Sequence, residues 1–220
     1  MLFRDRMHAG QVLARKLRQY ANRSDVLVLG LPRGGVPVAY EVAREIDAPL
    51  DVFLVRKLGV PHHRELAMGA IASGGVRVLN EDVVNSLRVK QKAIDRVAAE
   101  EDKELKRREQ AYRGNLPPLD LRDRTVILVD DGLATGASMH VAAIAARQQH
   151  PAKLIAAVPV GAPETCDRFR MEVDEIICAE TPDPFLAVGV WYDNFSQTTD
   201  AEVRKLLDRA SHQQPATSRR

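Results

Sequence analysis

The sequence predicts an α/β fold built on a mostly parallel sheet flanked by helices, and three observations carry that expectation. Short, continuously apolar runs recur along the chain, as buried parallel strands do. Stretches of helical period follow most of them. Two of the runs end in glycine or acidic residues where the next helix begins, the arrangement that puts ligands outside the carboxyl ends of the strands. With 220 residues and 45% hydrophobic content, the chain can bury one sizeable core, so one domain is expected over residues 1–209.

The elements follow in order. Residues 5–21 place Val12, Leu13, Leu17 and Tyr20 at helical spacing, with Arg15, Lys16 and Arg18 turned outward. Residues 26–30 (Val-Leu-Val-Leu-Gly) read as a strand, Leu31-Pro-Arg-Gly-Gly35 as a tight loop, and residues 36–46 as a helix. Strands are expected at 51–55, at 124–129, at 154–160 and at 175–178. Helices are expected over 138–150 and 163–170.

Residues 56–78 interrupt this alternation. The charged stretch 80–114, with Val83, Val84, Leu87, Ile94, Val97 and Leu105 at roughly helical spacing, reads as a helical insertion with one docked face, a lid or hood. Residues 210–220 are polar and without period, and disorder is expected there.

Lysine and arginine number 32 against 30 acids, a net charge of +2, which argues against a nucleic-acid-coating or membrane-surface protein. No apolar run reaches membrane-spanning length and no leader is visible, so a reducing cytoplasm is expected. Cys166 and Cys178 lack metal-ligand spacing and read as inert, partly buried thiols.

The segment from Val126 to Met139 (Val-Ile-Leu-Val-Asp-Asp-Gly-Leu-Ala-Thr-Gly-Ala-Ser-Met) carries the clearest chemistry. A strand ends in two acids and turns through small residues into a helix. Backbone N–H groups at a helix N-terminus, reinforced by the macrodipole, hold a phosphate monoester, and small residues let them approach it. Thr135 and Ser138 add hydroxyl donors. Asp130 and Asp131 can accept hydrogen bonds from sugar hydroxyls or hold the shell of a magnesium ion. Acidic strand ends also occur in haloacid-dehalogenase phosphatases and response-regulator receivers, but neither follows them with Ala-Thr-Gly-Ala-Ser. A Walker A loop is absent from the sequence.

This segment resembles the 5-phosphoribosyl 1-pyrophosphate signature of type I phosphoribosyltransferases. The resemblance extends over most of residues 24–195 and implies that family's fold. It implies binding of phosphoribosyl pyrophosphate by Asp130, Asp131, Gly132, Leu133, Ala134, Thr135, Gly136, Ala137 and Ser138, with magnesium held, indirectly, by Asp130 and Asp131. Gly30-Leu-Pro-Arg-Gly-Gly-Val36 looks like the family's pyrophosphate loop, with Arg33 as the charge and Gly34 and Gly35 allowing backbone conformations that other residues avoid.

Val55-Arg-Lys-Leu-Gly-Val-Pro61 resembles the segment before the mobile catalytic loop of adenine phosphoribosyltransferases, which makes Arg56 and Lys57 candidates for the pyrophosphate oxygens. Alternation along a strand prevents both from facing the site, and which one does stays open. His62, His63, Arg64 and Glu65 then belong to a closing loop rather than to a metal site. Residues 181–193 resemble the base-binding end of hypoxanthine-type enzymes, with Phe185 or Trp191 as the stacking ring.

The resemblance implies a magnesium-dependent transfer of phosphoribosyl to a nitrogenous base, with Asp130, Asp131, Arg33 and Lys57 in catalytic roles and a homodimer as the assembly. Ala134 stands where hypoxanthine-type enzymes carry an aspartate, so purine salvage does not follow. A non-catalytic regulator that senses phosphoribosyl pyrophosphate is the alternative, and a competence-associated relative working with DNA-handling partners is a third reading. Small molecules, not nucleic acid or membrane, are the expected partners.

Overall fold

The computed structural model describes residues 3–114 and 116–213, apart from the side chains of Arg64 and Gln213. In chain order the elements are α1 (Arg6–Lys16), β1 (Val26–Gly30), α2 (Gly35–Glu45), β2 (Leu50–Val52), β3 (Val55–Val60), β4 (His63–Ala72), β5 (Val76–Leu79), α3 (Glu81–Ser86) and α4 (Gln91–Arg113). They continue with β6 (Thr125–Val129), α5 (Ala137–Arg147), β7 (Lys153–Val160), α6 (Pro163–Phe169), β8 (Glu175–Glu180) and α7 (Asp200–Gln213).

The main sheet has strand order β2-β1-β6-β7-β8 and every pairing in it is parallel. The expected parallel sheet is therefore present, with β6 at its centre and all five of its residues buried. Alternate side chains divide between two cores. Leu27, Leu29, Val126, Leu128, Leu154 and Ala156 pack with Met139, Ala142 and Phe169 of α5 and α6. Val26, Val28, Ile127, Val129, Ile155 and Ala157 pack with Leu13, Leu17, Val38 and Val42 of α1 and α2. Each large aliphatic side chain removed from water here contributes about 1.5–3 kcal/mol. The opening helix is set by Asp5, whose carboxylate accepts from the His8 amide at 2.8 Å.

The apolar run 51–55 departs from its expected course, because it divides between two sheets. Leu50–Val52 pairs with β1, whereas the Leu54 amide turns to Ser73 Oγ at 3.1 Å and the Leu54 carbonyl accepts from the Ser73 amide at 2.9 Å. Val55 then opens β3. Residues 56–78, expected as an interruption, lie in a three-stranded antiparallel sheet β3-β4-β5 that runs from Val55 to Leu79, with His62 in the first turn at φ 69°. The buried residues of β3 and β4 are few and their alternation is broken by glycines and charges, which hid the strand period.

The insertion forms α3 and α4. Ile94, Ala98, Leu105 and Tyr112 of α4 pack on Leu58, Val60 and Met68 of the small sheet and on Val203 and Leu206 of α7. The end of α4 is clasped to β2. Arg113 Nε lies 3.0 Å and Nη2 3.1 Å from the two oxygens of Asp51, with the side chains only 9% and 15% exposed. Arg113→Ala strands the Asp51 charge and is expected to cost about 3 kcal/mol, lowering the melting temperature by several degrees; a melting curve that does not move would contradict that role.

Two expectations need correction at the chain's end and at the cysteines. Residues 210–213 continue α7, so the polar tail cannot start at 210; residues 214–220 lie outside the described part. Cys166 and Cys178, expected as separate thiols, are joined as a disulfide between α6 and β8. Proximity across a crossover is invisible in their spacing of 12 residues. Among the described residues no helix is long and apolar enough to cross a membrane.

Candidate functional site

Strand β6 delivers Asp130 and Asp131 to the carboxyl edge of the sheet, beside the loop that leaves β1. The two strands pair through Gly30 and Val129, and the Leu31 amide donates to the Val129 carbonyl at 2.8 Å. The peptide between Pro32 and Arg33 is cis. Gly34 has φ −63° and ψ −32°, ordinary helical values, so the expectation that it supplies an unusual backbone conformation is corrected. What demands glycine is proximity. A Cβ on Gly34 would lie 2.1 Å from Asp131 Oδ2, and one on Gly35 would lie 2.5 Å from the Val129 carbonyl oxygen and 2.9 Å from Asp130 Cα. The arginine loop is thus seated directly on the acidic pair.

The two acids differ in environment. Asp131 Oδ2 accepts from Arg6 Nε at 2.7 Å. Asp130 is half-buried, and its Oδ1 accepts from the Asp131 amide at 2.9 Å. Burial, reinforced by the negative charge of Asp131, pushes the Asp130 carboxyl well above the usual carboxylate range. A bound cation or a pair of sugar hydroxyls would relieve that cost.

The loop after the acids is held from below by α6. Thr165 Oγ1 donates to the Ala134 carbonyl at 2.7 Å, and Arg168 Nη2 to the Thr135 carbonyl at 2.8 Å. The Leu133 amide donates to the Val160 carbonyl at 2.9 Å. Gly136, at φ 77°, is left-handed, and a Cβ there would meet Phe169 Cε2 at 2.5 Å, so both conformation and space require glycine. With its carbonyls fixed from behind, the loop leaves Ala134, Thr135, Ala137 and Ser138 exposed at the start of α5, where the first amides have no partner within the helix. An anion could be received there.

Arg33 Nη1 lies 3.8 Å from Asp200 Oδ1 at the start of α7, and the Tyr112 hydroxyl of α4 donates to the same oxygen at 2.6 Å. That hydrogen bond, with Arg33 and other cations nearby, holds the Asp200 carboxyl below its ordinary range, and burial with the same bond pushes the Tyr112 phenol up to about 12.

Arg56 and Lys57 are placed elsewhere. Arg56 Nε donates to Glu101 Oε2 of α4 at 2.7 Å, while Lys57 Nζ donates across the hairpin to the Glu65 carbonyl at 3.0 Å. With His62 and Arg96 they line a cavity of about 550 Å³ between the hairpin turn and α4. Neither is hydrogen-bonded or ion-paired to Asp130, Asp131 or Arg33, although the small sheet that carries them packs on α5. The side chain of Arg64 is outside the described residues, and among those described no group of three or more candidate ligands could hold a metal.

Phe185 and Trp191 are half-buried in a cluster with Phe3, Tyr192, Val188 and Phe195. This cluster buttresses the acidic loop. The Tyr192 hydroxyl donates to the Asp131 carbonyl at 2.5 Å, burial raises its pKa, and Val188 lies where a Cβ on Gly132 would fall, within 2.4 Å. Arg6, Tyr192, Thr165, Arg168 and Asp200 are site residues that sequence reasoning missed. Each is brought in from another element; Tyr192 lies within the segment 181–193 noted for Phe185 and Trp191, and the other four belong to no contiguous motif.

Comparison with known proteins bears on the family and the fold. A phosphoribosyl transferase domain model matches residues 5–60 and 63–193. Two curated proteins from Mycobacterium tuberculosis strains, each named "putative phosphoribosyl transferase", are 49% identical over 209 residues, 95% of this chain and 47% of theirs. The chain therefore spans about half the length of the curated relatives it matches. The crystal structure of TT1426 from Thermus thermophilus is similar at a TM-score of 0.83 and 42% identity, over 94% of this chain and 98% of that one. AQ2163 from Aquifex aeolicus, at a TM-score of 0.50 and 13% identity over 84% of this chain and 78% of that one, shares the fold alone.

Proposed function

The chain belongs to the phosphoribosyl transferase domain family, with the type I fold, and we propose that it transfers phosphoribosyl from phosphoribosyl pyrophosphate to a nitrogenous base with release of pyrophosphate. The observation that carries this reading is the seating of the Arg33-Gly34-Gly35 loop on Asp131, at the edge where the same strand runs on into the phosphate-type loop of α5. Three subsites for one substrate then lie along a single sheet edge. The 5-phosphate fits the exposed backbone from Ala134 to Ser138, the ribose hydroxyls fit Asp130 and Asp131, and the diphosphate fits Arg33 with the Gly34 backbone, the Gly35 amide being held by the Leu31 carbonyl at 3.0 Å.

In this reading the base nitrogen attacks the anomeric carbon as the bond to pyrophosphate breaks, through a cation-like transition state. Holding both ends of the substrate supplies proximity. The acidic pair faces the ribose as positive charge develops, and Arg33 faces the diphosphate as negative charge develops. No covalent nucleophile is required.

The donor set suits magnesium. Two adjacent carboxylates are hard oxygen ligands, too few for a cage made by protein alone, so the ion would keep waters and substrate oxygens. When bound it would neutralise diphosphate charge, and Asp130 is the acid whose raised pKa such a charge would relieve.

The small sheet with Arg56 and Lys57, together with α3 and α4, acts as a hood that closes over the leaving group and excludes water. Phe185 and Trp191 remain the candidates for base stacking, in a homodimer working in the cytoplasm.

The test is pyrophosphate release from phosphoribosyl pyrophosphate and magnesium, screened over purine, pyrimidine and other nitrogen heterocycles. Release with one base identifies the acceptor, and Arg33→Ala should lower kcat/KM at least about tenfold through loss of a charge-assisted contact. Binding without release from any base would favour the sensing regulator instead.

A further inference from the structure

Arg6, in the first turn of α1, lies 125 residues from Asp131 in sequence, yet its guanidinium is built into the junction between the two ligand loops. Nε donates to Asp131 Oδ2 at 2.7 Å, Nη1 donates to the Ser196 carbonyl at 2.7 Å, and the group stacks 3.9 Å from the centre of the Phe195 ring. Its Nε is also 3.2 Å from where a Cβ on Gly34 would lie, so one cation touches the acidic loop and borders the arginine loop. The side chain is 12% exposed.

A surface ion pair would do little, because water and side-chain entropy dilute it. Here two segments remote from each other in sequence, the acidic loop and residues 195–196, hold the guanidinium in one place. Its planar fork divides between a carboxylate and a carbonyl while its face rests on an aromatic ring, a set of contacts that the ammonium of lysine reproduces only in part. The main chain of Asp131 is also tied from behind, by the Tyr192 hydroxyl donating to its carbonyl oxygen.

We infer that Arg6 is a positioning residue for the sugar end of the substrate: by holding the Asp131 carboxylate in place beside the arginine loop, it fixes the acceptor that the ribose hydroxyls meet. This rests on the phosphoribosyl pyrophosphate reading of the site. Because Arg6 acts through Asp131, its removal should be felt by any ligand carrying the ribose and not by a diphosphate alone.

The experiment measures binding of three probes by calorimetry, the two ribose-bearing ones in magnesium and inorganic pyrophosphate without it, to the unaltered chain and to Arg6→Ala, Arg6→Gln and Arg6→Lys, with thermal melting beside each. Arg6→Ala is expected to weaken phosphoribosyl pyrophosphate and ribose 5-phosphate by similar factors of about tenfold or more, and inorganic pyrophosphate by less than about twofold. Arg6→Lys should recover part of that loss at an unchanged melting temperature. Should Arg6→Ala not fold, the comparison of Arg6→Gln with Arg6→Lys carries the same test. Equal affinities for all variants, a loss confined to the diphosphate-bearing probes, or a lysine variant no better than glutamine would each overturn the inference. Failure of the unaltered chain to bind phosphoribosyl pyrophosphate would instead overturn the function it rests on.

Discussion

Gly34→Val is expected to weaken binding of phosphoribosyl pyrophosphate by at least about a hundredfold, a larger effect than removing the neighbouring arginine. Even a Cβ at this position would lie 2.1 Å from Asp131 Oδ2 and 2.8 Å from its Cγ, distances that no rotamer adjustment at residue 34 relieves, because the Cβ is fixed by the backbone. The carboxylate must swing away, which breaks its bond to Arg6, or the arginine loop must lift off β6, which breaks the bond from the Leu31 amide to Val129. Either movement separates the diphosphate and ribose subsites. A charge-assisted hydrogen bond lost and a close contact forced sum to roughly 3 kcal/mol, the free energy of that factor. Calorimetric titration checks it, and an affinity within about twofold of the unaltered chain would show that the two loops do not act together.

The double change Asp130→Ala/Asp131→Ala should likewise cost at least about a hundredfold in affinity for the magnesium complex. It removes both acceptors of the ribose subsite and the two carboxylates that would hold the magnesium ion. Its effect on stability has the opposite tendency at Asp130. A carboxyl whose folded pKa is raised destabilises the fold wherever the unfolded group is ionised, so at neutral pH its loss relieves a cost, and the relief fades as pH falls through the ordinary carboxylate range. Asp131 gives up a bond to Arg6, which offsets the gain. Binding should therefore collapse in a protein that still melts cooperatively, a combination that general unfolding cannot produce.

What was legible in the sequence is what lies contiguous in it. The strand β6, its two acids and the turn into α5 form one unbroken segment, and the apolar runs of β1 and β7 were long enough to declare buried parallel strands. The small sheet was not legible, because glycines and charged residues interrupt the alternation in β3 and β4, and because Leu54 takes its backbone partners from Ser73 rather than from β1. Arg6, Thr165, Arg168, Tyr192 and Asp200 reach the loops from remote elements, and long-range pairing leaves no local pattern. Gly34 is expected for its backbone conformation, but the structure needs it for room beside a carboxylate, which becomes visible only once Asp131 is in place.

The central claim is that this sheet edge receives phosphoribosyl pyrophosphate, and titration of the unaltered chain with that compound and magnesium, followed by calorimetry, tests it most directly. Saturable micromolar binding at one site per chain, weakened by ribose 5-phosphate added in competition, is the predicted result. Absence of measurable binding at millimolar ligand, with the protein folded by its melting curve, would contradict the account.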